Sequence, residues 1–244
     1  MGRTDGRRSA NQYSGRRRPP PSPAGPSGSE LLAQTAISPD EPARALQTIE
    51  RIFGDNVVVH MIPAVALSGE CSPSTLRYLA AKAVRYSRGG NSSRWQPSKS
   101  TLVAVAGHNN TPPDVFLATL ENQKHIKDSS YVQDDPFVDV AIAMANNPIC
   151  PMEALRQLAT YDDSAVQRAV ARHPHCPPQQ LEQLATHKAW PSVRRVVASN
   201  PNTPVATLEH LMQDSDPATR QAAINNPRLP RATLAMWQLT HEPV

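Results

Sequence analysis

The sequence predicts an all-α protein, an α-solenoid of two-helix repeats of about 26 residues that follows a disordered N-terminal tail. Three observations predict this fold class. Prolines and leucines recur at a fixed spacing in the C-terminal half, small and aliphatic residues follow a helical period within each repeat, and the composition changes sharply near residue 30. Because one helix pair cannot bury its own apolar face, the repeats should stack into one continuous core.

The repeat consists of four residue columns that stay in register over residues 138–244, which we predict to form four regular units. The first proline column is Pro148, Pro174, Pro201 and Pro227, and the second is Pro151, Pro177, Pro204 and Pro230. Four and seven residues after the second proline come the predicted core positions. These are Leu155, Leu181, Leu208 and Leu234, followed by Leu158, Leu184, Leu211 and Trp237.

The residue pattern of each unit predicts two helices. The first carries an apolar stripe at positions i, i+3 and i+4, as in Val193, Val196 and Val197. It must end before the first proline, because the residue preceding a proline is disfavoured in the helical region. Asn tolerates the chain reversal at that position, which is occupied by Asn147, Asn200 and Asn226. The second proline opens the second helix, where an N–H group is not needed.

The segment from Val193 to Leu211, VRRVVASNPNTPVATLEHL, resembles the repeat of the leucine-rich repeat variant family, whose members are bacterial helical repeat proteins similar to HEAT arrays. The resemblance implies α-helices alternating with short 3₁₀-type helices in a right-handed superhelix. It weakens upstream, where Ala104 and Val65 begin two more degenerate units. Some members carry an iron–sulfur cluster on an N-terminal cysteine-rich module. This sequence has no cysteine cluster, so no cofactor is expected.

Residues 38–137 are predicted to form an N-terminal helical region with degenerate repeats. It should begin with a helix from Ser38 to about Gly54 that closes the end of the solenoid, with Ser38 and Glu41 as a capping box. The apolar face of this helix is predicted to be Leu46, Ile49 and Ile52. Between the two regions, residues 121–136 interrupt the period.

Residues 1–30 are rich in Arg, Pro, Ser and Gly, which predicts disorder because they offer too little apolar surface to bury. This tail carries the whole net charge of +4, since residues 31–244 hold 19 basic and 19 acidic side chains. The chain has no apolar run of about 20 residues, and because no hydrophobic stretch follows its basic N-terminal residues, we do not expect a secretory signal. Its three cysteines indicate a reducing compartment. We therefore expect a cytoplasmic protein without a membrane segment.

The sequence contains no catalytic motif that we can identify, so neither an enzyme nor a small-molecule substrate is predicted. His173, His175 and Cys176 resemble a metal-ligand cluster. Cys71, Cys150 and Cys176, however, occupy one repeat column, which favours a structural role and predicts no metal site. The acidic pairs between repeats, Asp134/Asp135, Asp162/Asp163 and Asp214/Asp216, are predicted to be solvated loop residues.

Two functional hypotheses remain. The first is a non-enzymatic protein-interaction module, an adaptor, regulator or inhibitor, that binds its partner along the repeat surface. Its candidate contacts are Arg168, Arg195, Gln183, His210 and Trp95. The alternative is a nucleic-acid-binding protein that uses the tail and a basic segment without acidic residues. The contacts in that segment would be Arg77, Lys82, Arg85, Arg88, Arg94 and Lys99.

The charge balance of the regular repeats favours the first hypothesis, because residues 138–244 hold nine basic and nine acidic side chains. A solenoid that grips nucleic acid should be clearly basic along one face. Residues 89–100, at the C-terminal end of the basic segment 77–99, are predicted to form a flexible loop.

Overall fold

The structure, a computed structural model, describes residues 41–53, 55–67, 71–87, 92–123, 135, 137–186 and 190–241. Within these ranges the protein is all-helical, with thirteen α-helices and no strand. The predicted disordered tail, Ser38 of the predicted capping box and most of the irregular stretch at residues 121–136 lie outside the described residues.

A single helix, α1 (Glu41–Phe53), precedes six helix pairs in the described part of the chain. The N-terminal pairs are α2 (Asp55–Leu67) with α3 (Pro73–Ser87), and α4 (Ser92–Gly107) with α5 (Pro113–Glu121). The predicted regular units are α6 (Val138–Asn146) with α7 (Met152–Ala159), α8 (Ser164–Arg172) with α9 (Pro178–Ala185), α10 (Pro191–Ser199) with α11 (Val205–Leu211), and α12 (Pro217–Ile224) with α13 (Arg231–His241).

The pairs stack into two layers. The first helices of successive pairs pack side by side from α2 through α12, and the second helices do the same from α3 through α11. Helix α1 packs on α2 and α3 at the N-terminal end. The predicted α-solenoid is therefore confirmed, and the pairs α2–α3 and α4–α5 pack in the same two layers as the pairs that follow them.

The core lies between the two layers and runs along the array. Its largest cluster extends from Ala83 in α3 to Leu229 beside α13, and a second cluster lies beneath α1. Six leucines from the repeat columns are almost completely buried in it, namely Leu155, Leu158, Leu181, Leu184, Leu208 and Leu211. Each unit thus completes its core with side chains of its neighbours.

The second helix of each regular unit is an α-helix, whereas the resemblance implied a 3₁₀-type helix. In each of them the N–H of the first core leucine donates to the proline carbonyl four residues earlier, at 3.0–3.2 Å. The buried set in α7 explains this difference: Ala154, Leu155, Leu158 and Ala159. At about 100° per residue these positions share one face, but at the tighter 3₁₀ period they would spread around the helix.

Two N-terminal predictions were wrong. Leu46 is buried, but Ile52 is exposed, because six residues at about 100° each turn the side chain well away from the starting face. Residues 92–100 are helical rather than a loop. Their inward stripe continues with Ser98, Thr101 and Leu102, all buried, and its polar members concealed the helix in the sequence pattern.

Candidate interaction surface

The residue before each first proline forms a hydrogen-bonded ladder between neighbouring units. The Asn200 side-chain amide donates to the backbone carbonyls of Ala171 (2.7 Å) and His173 (3.3 Å) in the preceding unit. Asn226 donates in the same way to Ala198 (2.7 Å) and Asn200 (3.0 Å). Asn side chains thereby satisfy buried backbone carbonyls that two stacked helices would otherwise leave unpaired.

The ladder continues towards the N terminus. Asn147 donates to the carbonyls of Ala106 (2.7 Å) and His108 (3.0 Å). Each of the three asparagines also accepts the N–H two residues ahead, which fixes the turn at the proline. The sequence identified these asparagines only as tolerant of the turn. The signal for the ladder was the recurrence of donor side chains in the column.

His173 occupies the same column and performs the same task. Its Nδ1 accepts the N–H of His175 at 3.0 Å, so the ring hydrogen lies on Nε2, which donates to the Asn147 carbonyl at 2.9 Å. Burial lowers the pKa of His173, although the bond to Asn147 opposes the shift. Both ring nitrogens of His173, the first residue of the candidate metal-ligand cluster, are therefore engaged in the ladder.

The cysteines of the repeat column are buried. Burial raises the pKa of the Cys150 and Cys176 thiols to about 12, so neither is a thiolate near neutral pH, the form that attacks electrophiles or binds metal. Among the described residues, no three His, Cys, Asp or Glu side chains are grouped so as to hold a metal ion.

The acidic residues between α11 and α12 are structural rather than solvated, which corrects the prediction for this pair. The Asp214 side chain is only 7% exposed and forms a bidentate ion pair with Arg194 of α10, at 2.6 and 2.9 Å. This contact holds the pKa of Asp214 below its usual range. Asp216 caps α12 by accepting the Thr219 N–H at 3.0 Å. Asp163 caps α8 in the same manner.

The candidate partner contacts divide between the two layers. Arg168 and Arg195 are exposed on the first helices α8 and α10, whereas Gln183 and His210 are exposed on the second helices α9 and α11. The two layers have opposite outer surfaces, so these four residues do not form one site. Trp95 lies in α4, and its side chain is outside the described part of the chain.

The outer surface of the first layer is basic at its centre. Arg168 and Arg172 are one turn apart on α8 and both exposed, and Arg195 follows in the next unit with a contact of 3.3 Å to Asp216. Sequence reasoning missed Arg172, although its spacing of four residues from Arg168 on one helix was a sufficient signal. Opposite them, the second layer exposes Glu182 and Glu209.

Outward positions differ between units, while inward positions repeat. One outward column of the first layer contains Ile142, Arg168, Arg195 and Gln221, and one of the second layer contains Gln157, Gln183, His210 and Met236. Ile142 is half-buried and packs against the core, whereas the other seven side chains are exposed and available for recognition.

Half of the predicted basic segment is neutralised by acidic partners. Lys82 pairs with Glu50, and Lys99 pairs with Asp139. No ion pair is described for three other residues of the segment. Arg85 is exposed, Arg88 lies outside the described residues, and Arg94 belongs to α4 with its side chain not described.

Arg77, the remaining member, forms a bidentate pair with Asp114, at 2.8 and 2.9 Å. This pair crosses a groove of about 380 Å³ between α3 and α5, which is lined mainly by small side chains such as Ala81 and Ala118, with Arg85 at its edge. The groove offers apolar surface beside the exposed Arg85.

None of the described helices is both long and apolar enough to cross a membrane. The described surface presents its side chains on helices, and the buried asparagines of the proline column are engaged in the ladder.

Comparison with protein-family profiles agrees with the repeat architecture. Residues 165–188 and 191–216 match the profile of the leucine rich repeat variant family. No curated protein matches the chain. Two crystal structures of engineered proteins from a structural genomics consortium are similar to it. The match to the first covers 80% of this chain and 95% of that protein, with 16% sequence identity and a TM-score of 0.40. The match to the second covers 81% of this chain and 66% of that protein, with 17% sequence identity and a TM-score of 0.37.

The two segments that match the family profile coincide with the pairs α8–α9 and α10–α11, the centre of the regular array. These two pairs match the leucine rich repeat variant profile, and the chain is a helical repeat protein.

Proposed function

We propose that the protein is a non-enzymatic interaction module, an adaptor, regulator or inhibitor, that binds another protein along the outer surface of its first-helix layer. The observation that carries the proposal is the exposed arginine group Arg168, Arg172 and Arg195 on consecutive units. Among the described residues, Arg168 and Arg172 have no acidic partner, and the fold does not need them. Arginines held in rows on rigid helices suit bidentate binding of carboxylates.

The partner that fits this surface is an acidic protein segment. The first layer presents arginines at its centre, while the second layer presents Glu182 and Glu209, so an acidic partner is attracted to one layer and repelled by the other. Complementary charge at an interface steers association and suppresses wrong partners.

The experiment compares two double variants in affinity capture from nuclease-treated lysate. We expect Arg168→Glu with Arg172→Glu to lose the partner, because the reversal repels acidic groups. Gln183→Glu with His210→Glu adds negative charge to the other layer and should keep the partner. If only the Gln183/His210 variant loses the partner, binding lies on the second layer and the arginine proposal is contradicted. If both variants still capture the partner, neither pair of residues binds it. Thermal melts of all variants check that the fold is retained.

Nucleic-acid binding is the alternative, favoured by exposed Arg85 beside the groove and by the absence of acidic residues between Glu70 and Asp114. In this case Arg85→Glu with Arg88→Glu should nearly abolish binding. The affinity of the parent should fall by orders of magnitude between about 50 and about 200 mM salt, because counterions are released. If the protein-binding proposal holds, the same reversals leave partner capture unchanged. The ion pairs of Arg77, Lys82 and Lys99 weigh against the alternative.

A further inference from the structure

Helix α13 has two apolar stripes instead of one. The inward stripe contains Leu234 and Trp237, which pack against the main core. The outward stripe contains Met236 and Leu239, which are 64% and 79% exposed, together with exposed Ala232 and Ala235. The four outward residues follow the spacing i, i+3, i+4 and i+7, so they form one continuous face of the helix.

This outward stripe is peculiar to the last unit. The corresponding positions of α7 are Glu153, Arg156, Gln157 and Thr160, those of α9 are Gln179, Glu182, Gln183 and Thr186, and those of α11 are Ala206, Glu209, His210 and Gln213. All twelve are exposed, and all but Ala206 are polar. They remain exposed although a further unit follows each of these helices. The stripe on α13 is therefore not the surface on which another repeat would stack.

We infer that this stripe binds a second copy of the chain through an antiparallel pair of α13 helices. The stripe is small at its N-terminal end and large at its C-terminal end. In an antiparallel pair centred between Ala235 and Met236, Ala232 lies opposite Leu239 of the second copy, and Ala235 lies opposite its Met236. Large side chains then fill the space left by small ones across a two-fold axis.

Parallel pairing does not have this complementarity. It sets Leu239 against Leu239 at one end of the stripe, while Ala232 against Ala232 leaves a gap at the other. A partner helix of unrelated sequence has no reason to match the gradient from small to large, whereas a second copy matches it by symmetry. The stripe also contains no charged residue, so two copies meet without repulsion there.

The size of the stripe indicates how strongly two copies should associate. A helix of 11 residues is only about 16 Å long, and one face of it buries much less than the roughly 800 Å² per partner of a standard interface. The dimer should therefore be weak and depend on protein concentration.

The first test is sedimentation of the full chain between about 10 µM and about 1 mM, a range that covers weak association. We expect the average mass to rise from monomer towards dimer. Met236→Glu with Leu239→Glu should remain monomeric. The matched control, Gln157→Glu with Thr160→Glu at the same columns of α7, should associate like the parent. A parent that is monomeric throughout, or a stripe variant that associates as well as the control, would overturn the inference.

The second test examines the register. A mixture of the Ala232→Cys and Leu239→Cys variants, treated with an oxidant, should form a mixed disulfide dimer, since the native cysteines are buried. Leu239→Cys alone should not cross-link. A cross-link of Leu239→Cys with itself, or the absence of the mixed one, would rule out the antiparallel arrangement. If the parent stays monomeric while a helix of another protein occupies α13, the occupant is not a second copy and the inference is wrong. Far-UV circular dichroism checks that every variant is folded.

Discussion

Single side chains connect the units of this protein as specifically as the helices do. Asn200 occupies little volume, yet it joins two carbonyls of the preceding unit to the turn of its own unit. Replacing Asn200 with Ala leaves buried carbonyls unpaired and should lower the free energy of unfolding by about 1–3 kcal/mol. Asn200→His is the control, because His173 satisfies the same column and should be the milder change. Equal losses in chemical denaturation would contradict the ladder's role.

His173 makes the stability of the protein depend on pH. Since burial lowers its pKa in the folded state, the unfolded chain binds the proton more readily, and stability falls as pH decreases below about 6.5 through the folded pKa. His173→Asn restores the commoner residue of the column, which cannot titrate. We expect the difference in melting temperature between pH 8 and pH 5 to be smaller in this variant than in the parent. An unchanged difference would show that other groups dominate.

At the scale of elements, burial decides what an ion pair contributes. Arg194–Asp214 and Arg77–Asp114 share the same bidentate geometry, but their side chains are 8% and 7% exposed in the first pair and 52% and 59% in the second. Asp214→Ala leaves a buried guanidinium without its carboxylate and should cost about 3–5 kcal/mol. Asp114→Ala should cost at most about 1 kcal/mol. Chemical denaturation of both variants measures the contrast, and similar losses would contradict it.

The elements also show what the sequence could predict. The proline and leucine columns were sufficient to predict the helix pairs of residues 138–244, because the prolines mark where each helix ends or begins and the leucine spacing marks the buried face. The beginning of helix α4 was not predicted, because Ser98 and Thr101 are buried polar residues in its inward stripe. The partners of Asp214 and Lys99 lie 20 or more residues away in sequence. Pairing over that distance depends on the stacking of units, which local pattern does not contain.

For the whole molecule, stability should be shared between neighbours. Leu208→Ala in the third regular unit should cost about 2–5 kcal/mol, and Leu208→Asp more because it buries a charge. Amide exchange should then increase in α8–α9 and α12–α13 as well as in α10–α11, since each unit completes the core of the next. Leu234→Ala is the control, because Leu234 is only half-buried in the last unit. Its effect should be smaller and confined to the C-terminal end.

The ladder also has a consequence for insertions and deletions. In the preceding unit Asn200 contacts backbone carbonyls only, and a backbone carbonyl occupies the same position in every unit. Excising residues 166–192 would bring Asn200 to Ala145 and Asn147, whose carbonyls replace those of Ala171 and His173. A cut of half that length would leave the amide facing the wrong part of the neighbouring turn. We therefore expect insertions and deletions of whole periods to preserve the joints between units, whereas fractions of a period should break them.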